Sequence, residues 1–328
     1  MVESDPVRND ECILVTGASG YIGRQLVEAL SRAKENFRGI LAGDVRQVPT
    51  EERRPGVRYL RLDVRSESLV EILEQGRVTT VVHLASIVTP GKGSGREFAY
   101  SVDVLGTSNV VRACVQARAR KIILTSSGAA YGYHRDNPVP LQERDALRGN
   151  PEFAYSDHKR QVEELLARYR REHPELRQLV LRLCTVLGDS ADNQITSLFQ
   201  KPAILGISGA SSPFVFIWDK DVVGCILRGI QEDLEGIYNV AGDGVLTLAE
   251  MASMMGKPYI PVPAWLARFS LTVLKKFGLT QYGPEQVRFL RYRPVLSNRK
   301  LKEDFGYVPE KTTREVFEMF LQRIPQRV

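Results

Sequence analysis

The stretch that most constrains the fold runs Cys12-Ile13-Leu14-Val15-Thr16-Gly17-Ala18-Ser19-Gly20-Tyr21-Ile22-Gly23. It begins as a short apolar run, which predicts a buried parallel strand. It then breaks into three glycines, each separated by two residues. A helical pattern follows at once, with Ile22, Leu26, Val27 and Leu30 on one face and Arg24, Gln25 and Glu28 off it. Strand, glycine turn and helix is the context in which such a turn cradles a phosphate. One glycine allows the tight turn, one lets the backbone approach a pyrophosphate, and one lets the helix pack on the strand. The helix N-terminus then offers N–H groups and the positive end of its dipole. Here the spacing is G-x-x-G-x-x-G and not the commoner G-x-G-x-x-G, so an ordinary glycine turn stays open at this point.

Length and composition narrow the class. A chain of 328 residues accommodates one large α/β domain and a smaller part. No apolar run approaches the length of a bilayer span and residues 1–10 are polar, so neither a membrane-spanning anchor nor a signal peptide is expected, and a cytoplasmic location is. Cys12, Cys114, Cys184 and Cys225 lie far apart in apolar patterns, without metal-ligand spacing, and read as small core residues in a reducing compartment. The net charge is +6, with fourteen Lys/Arg against six Asp/Glu from Lys257 onward. These charges are interleaved with helical pattern, so a solvated basic face is expected and a nucleic-acid partner is not.

Strands are expected at 39–44, 57–64, 78–85, 121–127 and 179–187, with helices at 67–75, 96–118 and 153–172 between them. A tail covers 1–10, a glycine-rich loop 91–95 and a longer loop 132–152. This alternation predicts an α/β fold, a doubly wound parallel sheet of Rossmann-like type. Further strands at 214–218 and 236–240 flank a helix at 220–230, and the rest reads as helical and proline-rich. The expected division is a dinucleotide-binding domain of 11–188 with 213–241, and a smaller, mostly helical C-terminal substrate domain of 189–212 with 242–328.

Four residues carry the chemistry. Asp44 ends the second strand about twenty residues past the glycine turn, where an acid accepts hydrogen bonds from adenosine ribose hydroxyls. An acid there repels a 2′-phosphate and favours NAD over NADP, whereas Arg46, two residues on, keeps NADP open. Tyr155 and Lys159 stand four apart at a helix start and so share a face. A cation beside a phenol favours its phenolate, which allows Tyr155 to trade a proton with a substrate hydroxyl or carbonyl. Ser127, closing the fifth strand, is placed to hold the same oxygen.

With these in view, the chain resembles the short-chain dehydrogenase/reductase superfamily, in its extended, epimerase/dehydratase-like branch. The resemblance covers most of the chain. Residues 16–23 are similar to its cofactor loop, which implies cofactor contacts from Gly17, Ser19, Gly20, Tyr21, Ile22 and Gly23. Asp63-Val64 resembles its adenine contact, and His83-Leu84-Ala85-Ser86 its strand-four motif. Residues 126–132 resemble the serine segment, with Ser127 in the active position, and Tyr155 and Lys159 match the catalytic pair. Leu181-Arg182 through Gly188 and Tyr238–Gly242 resemble two later signatures. The resemblance implies hydride transfer at the nicotinamide, Tyr155 as general acid/base, Lys159 on the nicotinamide ribose, and Ser127 orienting substrate. It also implies a homodimer through helices 96–118 and 153–172.

The chain departs from that pattern at several points. Asp103 stands where relatives have asparagine, and Thr185 where sugar-nucleotide enzymes have asparagine. The run 211–219 lacks the arginine that grips a diphosphate, which a nucleotide-sugar substrate needs. The serine segment lacks the Asp-Glu pair of sugar dehydratases. An apolar segment at 262–279 reads as a core helix of the small domain, with a lid over an apolar substrate or a membrane-surface helix as alternatives. The expected function is therefore an NAD(P)-dependent oxidoreductase acting on a secondary alcohol or ketone of an apolar or small substrate. A nucleotide-sugar epimerase with tightly bound NAD and a non-catalytic nucleotide sensor are the other readings. No metal is expected.

Overall fold

The structure is a computed structural model and describes residues 10–88, 95–188, 191, 194–280 and 283–323. Most of the expected tail at 1–10 and of the loop at 91–95 lies outside these residues. The elements in chain order are β1 (Cys12–Thr16), α1 (Tyr21–Arg32), β2 (Gly39–Asp44), β3 (Val57–Arg61), α2 (Leu69–Gln75), β4 (Thr80–His83), α3 (Arg96–Tyr100), α4 (Thr107–Gln116), β5 (Lys121–Ser127), α5 (Ala154–Glu172), β6 (Arg177–Leu183) and β7 (Thr185–Leu187). There follow α6 (Gln194–Phe199), β8 (Ile204–Ile207), β9 (Pro213–Phe214), β10 (Phe216–Trp218), α7 (Asp219–Gln231), β11 (Gly236–Val240), β12 (Leu246–Thr247), α8 (Leu248–Met254), β13 (Tyr259–Val262), α9 (Ala264–Lys276), α10 (Gln286–Arg291), α11 (Arg299–Glu303) and α12 (Thr313–Leu321).

Seven strands form a parallel sheet in the order β11-β6-β5-β4-β1-β2-β3. The doubly wound fold expected from the alternation is present. β1 pairs with β2 on one side, Leu14 opposite Leu41, and with β4 on the other, Leu14 opposite Val81. Strand order therefore reverses between β1 and β4, and ligands of open α/β sheets bind beyond the carboxyl ends at such a switch point. β1 is buried along its whole length, as a strand covered on both faces must be.

The chain divides into two compact units, 1–126 with 161–181 and 222–237, and 127–160 with 182–221 and 238–328. Residues 127–160, expected with the dinucleotide-binding part, fall in the second unit. The core of the first packs Leu14, Leu41, Val81, Val110, Val111 and Ile122 with Leu166 and Val180. In the second, Phe199, Phe214, Phe216 and Phe317 cluster; Phe216 and Phe317 stack at 5.7 Å, and Phe199 meets Phe317 edge-on at 5.2 Å.

Several expected elements differ in detail, among them the strand expected over 214–218, which divides into β9 and β10. The helix expected over 96–118 contains a π-helical turn at Ser101–Gly106 between α3 and α4. The wider turn goes with Thr107 Oγ1 donating to the Asp103 carbonyl at 2.5 Å and with Gly106 against Val64. The strand expected over 179–187 divides at Cys184, whose N–H donates to the Val240 carbonyl; β7 then pairs with β10. The segment expected to be helical throughout contains β13, which pairs with β8. Pro258, Pro261 and Pro263 account for this, since proline lacks the amide that an interior helical turn needs.

Phe317 is fully buried in its aromatic cluster. Phe317→Ala is expected to destabilise the protein by about 3–5 kcal/mol, read as a lower urea midpoint.

Candidate active site

In the first unit the glycine loop is fixed by close backbone approach. Gly17 has φ +70°, and a Cβ there would lie 2.6 Å from the Ala85 amide nitrogen. A Cβ on Gly23 would lie 2.2 Å from the Gly17 carbonyl oxygen. The Gly20 N–H closes the turn on the Gly17 carbonyl at 2.9 Å, and Gly20 is the N-cap of α1, whose first turn carries no acid. That helix end is electrostatically open to an anion. Tyr21 and Ile22 form the turn's helical side and are half-buried.

Asp44 is buried at the end of β2. Its Oδ2 accepts the Ser19 N–H at 2.9 Å and its Oδ1 the Arg46 N–H at 3.0 Å. The glycine loop and the acid predicted to hold ribose are thus one assembly. The Arg46 side chain is largely exposed, with Nε 3.5 Å from Asp44 Oδ1. The Ser19 hydroxyl is buried without a hydrogen-bond partner, and burying an unsatisfied hydroxyl is costly unless something else meets it. The glycine cradle, acid-free helix end and unsatisfied Ser19 hydroxyl together fit a dinucleotide.

Across the switch point, Leu84, Ala85 and Ser86 leave β4 half-buried. Ser86 Oγ and the Ile87 N–H both donate to Asp103 Oδ1, at 2.9 and 2.7 Å. The aspartate that departs from the family asparagine thus serves as a double acceptor from the π turn. His83 bridges Thr16 Oγ1 (2.7 Å) and Thr107 Oγ1 (3.0 Å) and is tied into the framework. Asp63 is half-exposed and gripped by Arg65 Nη2 at 2.6 Å; those hydrogen bonds hold its carboxyl below the usual range. Val64 is buried in the core and offers its carbonyl to Asn109 Nδ2 at 2.8 Å.

The second unit holds the other predicted residues. Ser127 Oγ accepts the Ala129 N–H at 3.1 Å and caps the short turn Gly128–Tyr131. Ser156 Oγ donates to the Ala129 carbonyl at 2.6 Å, which pins the start of α5 to that turn. Tyr155 and Lys159 follow on one face, the Lys159 ammonium lying 5.7 Å from the centre of the Tyr155 ring. Lys159 is buried and Tyr155 half-buried. Arg182 is buried, with Nη1 donating to the Tyr131 hydroxyl (2.7 Å) and the Glu143 carbonyl (2.9 Å). Tyr131 in turn donates to Asn239 Oδ1 at 2.9 Å. The two late family signatures thus meet in one polar network.

Sequence reasoning missed Arg293. Its guanidinium lies between the rings of Phe214 (3.8 Å) and Phe289 (4.5 Å). Nη2 donates to Thr185 Oγ1 at 2.9 Å, whereas Nη1 is buried without a hydrogen-bond partner. Burial pulls its pKa down to about 10, and no carboxylate acts on it to oppose this. The neighbouring Tyr133 phenol is pushed up, mainly by burial. A cation therefore stands at Thr185 and Phe214, the corner where the run 211–219 has none. Nothing in the run Arg291-Tyr292-Arg293 marks which arginine turns inward. The four cysteines are free, and no group of metal-binding side chains occurs among the described residues.

The sequence profile of the NAD dependent epimerase/dehydratase family matches residues 13–241. The chain belongs to that family, within the extended short-chain dehydrogenase/reductases. An uncharacterized protein of Mycobacterium tuberculosis is 25% identical over 313 residues, covering 94% of this chain and 83% of its own. A putative UDP-glucose 4-epimerase of Methanocaldococcus jannaschii is 27% identical over 220 residues, covering 63% of this chain and 70% of its own. The crystal structure of the Thermus thermophilus UDP-glucose 4-epimerase complex with NAD superposes with a TM-score of 0.71 at 22% identity, covering 97% of this chain and all of that one.

Asp44→Ser removes the charge and the acceptor of the Ser19 N–H. The expected outcome is about tenfold weaker NAD binding with a gain in NADP affinity, since a hydrogen bond to a charged group is worth about 1.5–3 kcal/mol. Titration of both cofactors by protein fluorescence checks it, and unchanged preference would remove Asp44 from cofactor selection.

Proposed function

We propose that this chain is an NAD-dependent oxidoreductase that interconverts a secondary alcohol and a ketone on a small or apolar substrate. The observation that carries the proposal is the Tyr155–Lys159 pair, one turn apart on α5 and 5.7 Å from ammonium to ring centre, in the same unit as the capped Ser127. Gly17, Ser19, Gly20, Tyr21, Ile22 and Gly23 would hold the pyrophosphate, Asp44 the adenosine ribose, and Asp63, Val64, Leu84, Ala85 and Ser86 the rest of the nucleotide. The bound nicotinamide would supply the hydride acceptor or donor. Tyr155 acts as general acid/base at the substrate oxygen. Lys159 places its ammonium 5.7 Å from the centre of the Tyr155 ring and would donate to the nicotinamide ribose. Ser127 Oγ, already accepting from Ala129, keeps its own proton to donate to the substrate oxygen. The carboxylate at Asp44 supports NAD over NADP.

Arg293 supports a second reading. A guanidinium buried between two phenyl rings, with one nitrogen unbonded, is costly to keep unless an anion reaches it. A diphosphate would be such an anion, and the UDP-glucose 4-epimerases among the relatives make a nucleotide-sugar epimerase the corresponding activity. In that reading NAD stays bound through each cycle.

One measurement tests the chemistry common to both readings, and two separate them. Tyr155→Phe is expected to lower kcat by about 10²–10⁴, with NAD affinity held within about twofold. Full turnover in that variant would remove Tyr155 from the chemistry. Arg293→Met is expected to raise KM by at least about tenfold for a UDP-sugar and to leave a neutral ketone unaffected. Turnover of UDP-sugars without added cofactor would establish the epimerase and overturn the net oxidoreductase.

A further inference from the structure

Among the described residues, six of the fifteen exposed large apolar side chains lie between residues 265 and 279, so they are concentrated in one segment and not scattered along the chain. Trp265 is 70% exposed, Phe269 64%, Phe277 72% and Leu279 73%, with Leu266 and Leu274 beside them. All but Phe277 and Leu279 belong to α9, which has no buried side chain. The sequence reading expected a core helix in this stretch; α9 instead buries no residue fully and turns its aromatics outward. Ala264, Ala267, Ser270, Leu271 and Val273 are the half-buried set. Trp265 and Phe269 lie four positions apart on the opposite side, and Lys276 falls on the same outward face.

The charge along this segment has one sign. No Asp or Glu occurs between Glu250 and Glu285, whereas Lys257, Arg268, Lys275 and Lys276 do. Lys257 donates to the Phe199 carbonyl and Lys275 stands 3.6 Å from Glu285. Arg268 and Lys276 are exposed beside the aromatics. A second copy of this chain would set these cations against each other with no carboxylate on α9 to meet them. A surface that is apolar within and anionic at its headgroups matches both the aromatics and the cations. No helix among the described residues is long and apolar enough to cross a membrane, so the contact is with one surface only.

We propose that α9 and the Phe277 that caps it form an interfacial segment that lays Trp265, Phe269 and Phe277 into the headgroup region of an anionic lipid bilayer, with Arg268 and Lys276 meeting the lipid phosphates and carboxylates. The inference is independent of the nucleotide-site reading. Tryptophan and phenylalanine on one side of a short helix, flanked by lysine and arginine, give reversible attachment that depends on both apolar burial and surface charge. Raised salt weakens the charge contribution and leaves the apolar one.

The test is co-sedimentation of the full chain with phosphatidylcholine vesicles, with and without phosphatidylserine, at low and high salt. Binding is expected with phosphatidylserine, weaker at high salt and weak on phosphatidylcholine alone. The double variant Trp265→Ser/Phe269→Ser is expected to partition at least about tenfold less, with an unchanged circular dichroism melt showing that it folds. Trp218→Phe leaves Trp265 as the only indole, and its emission is expected to shift to the blue with phosphatidylserine vesicles. Three results overturn the proposal: no binding to phosphatidylserine vesicles at low salt, undiminished binding by the folded double variant, or a dimer in lipid-free buffer that the double variant abolishes.

Discussion

The first unit depends on the approach of the Gly17 backbone to Leu84 and Ala85. Strands β1 and β4 are hydrogen-bonded neighbours, yet their following loops diverge, and the gap between those loops is where a ligand of such a sheet is received. The missing Cβ at Gly17 allows the loops to touch at their roots, since any side chain there would collide with the Ala85 amide. The Leu84 N–H bond to the Thr16 carbonyl and the His83 bridge from Thr16 to Thr107 fix the same junction from beneath. Asp103 fixes it from the π turn by taking both Ser86 and Ile87. A helix of regular pitch would hold Asp103 in a different register, so the local widening of that helix is part of how the junction is positioned.

Much of this was legible because it is local. The run 12–23 contains its own strand, turn and helix signals within reach of one another, and Asp44 follows from strand length alone. Tyr155 and Lys159 share a face by helical periodicity, so their juxtaposition needs no tertiary information. Arg293 was not legible because its role comes from Thr185, Phe214 and Phe289, which lie far from it in sequence. The outward turn of α9 was equally hidden. Its apolar residues have the periodicity of a core helix, and only the half-burial of Ala264, Ala267 and Leu271 against the exposure of Trp265 and Phe269 shows which side faces the protein. Periodicity states that a helix has two faces and not which one is covered.

Family signatures also proved to be of two physical kinds. His83, Arg182, Tyr131 and Asn239 are spent on the framework. Each donates to or accepts from other buried groups, and together they close strand ends and loops. Such residues recur in a fold because a half-satisfied buried network is worse than none. Gly17, Gly23 and the first turn of α1 are different, since the two glycines let backbone meet backbone where no side chain fits and the helix end carries no acid to oppose an anion.

That contrast gives a criterion for separating ligand-facing groups from structural ones. An unbonded buried polar atom is insufficient by itself, because Ser212 Oγ and Trp218 Nε1 are also unbonded, with no glycine cradle around them. Ser19 Oγ carries weight because it lies inside a loop already shaped by two glycines that tolerate no side chain, next to an acid held by the same loop's amide. Arg293 Nη1 carries weight for another reason, its charge. A hydroxyl left unbonded costs on the order of 1–3 kcal/mol, whereas an unpaired buried cation costs several times that before ring faces offset part of it. Phe214 and Phe289 can hold the guanidinium in place, but they do not neutralise it. Whether a substrate anion does so decides between a neutral ketone and a diphosphate substrate.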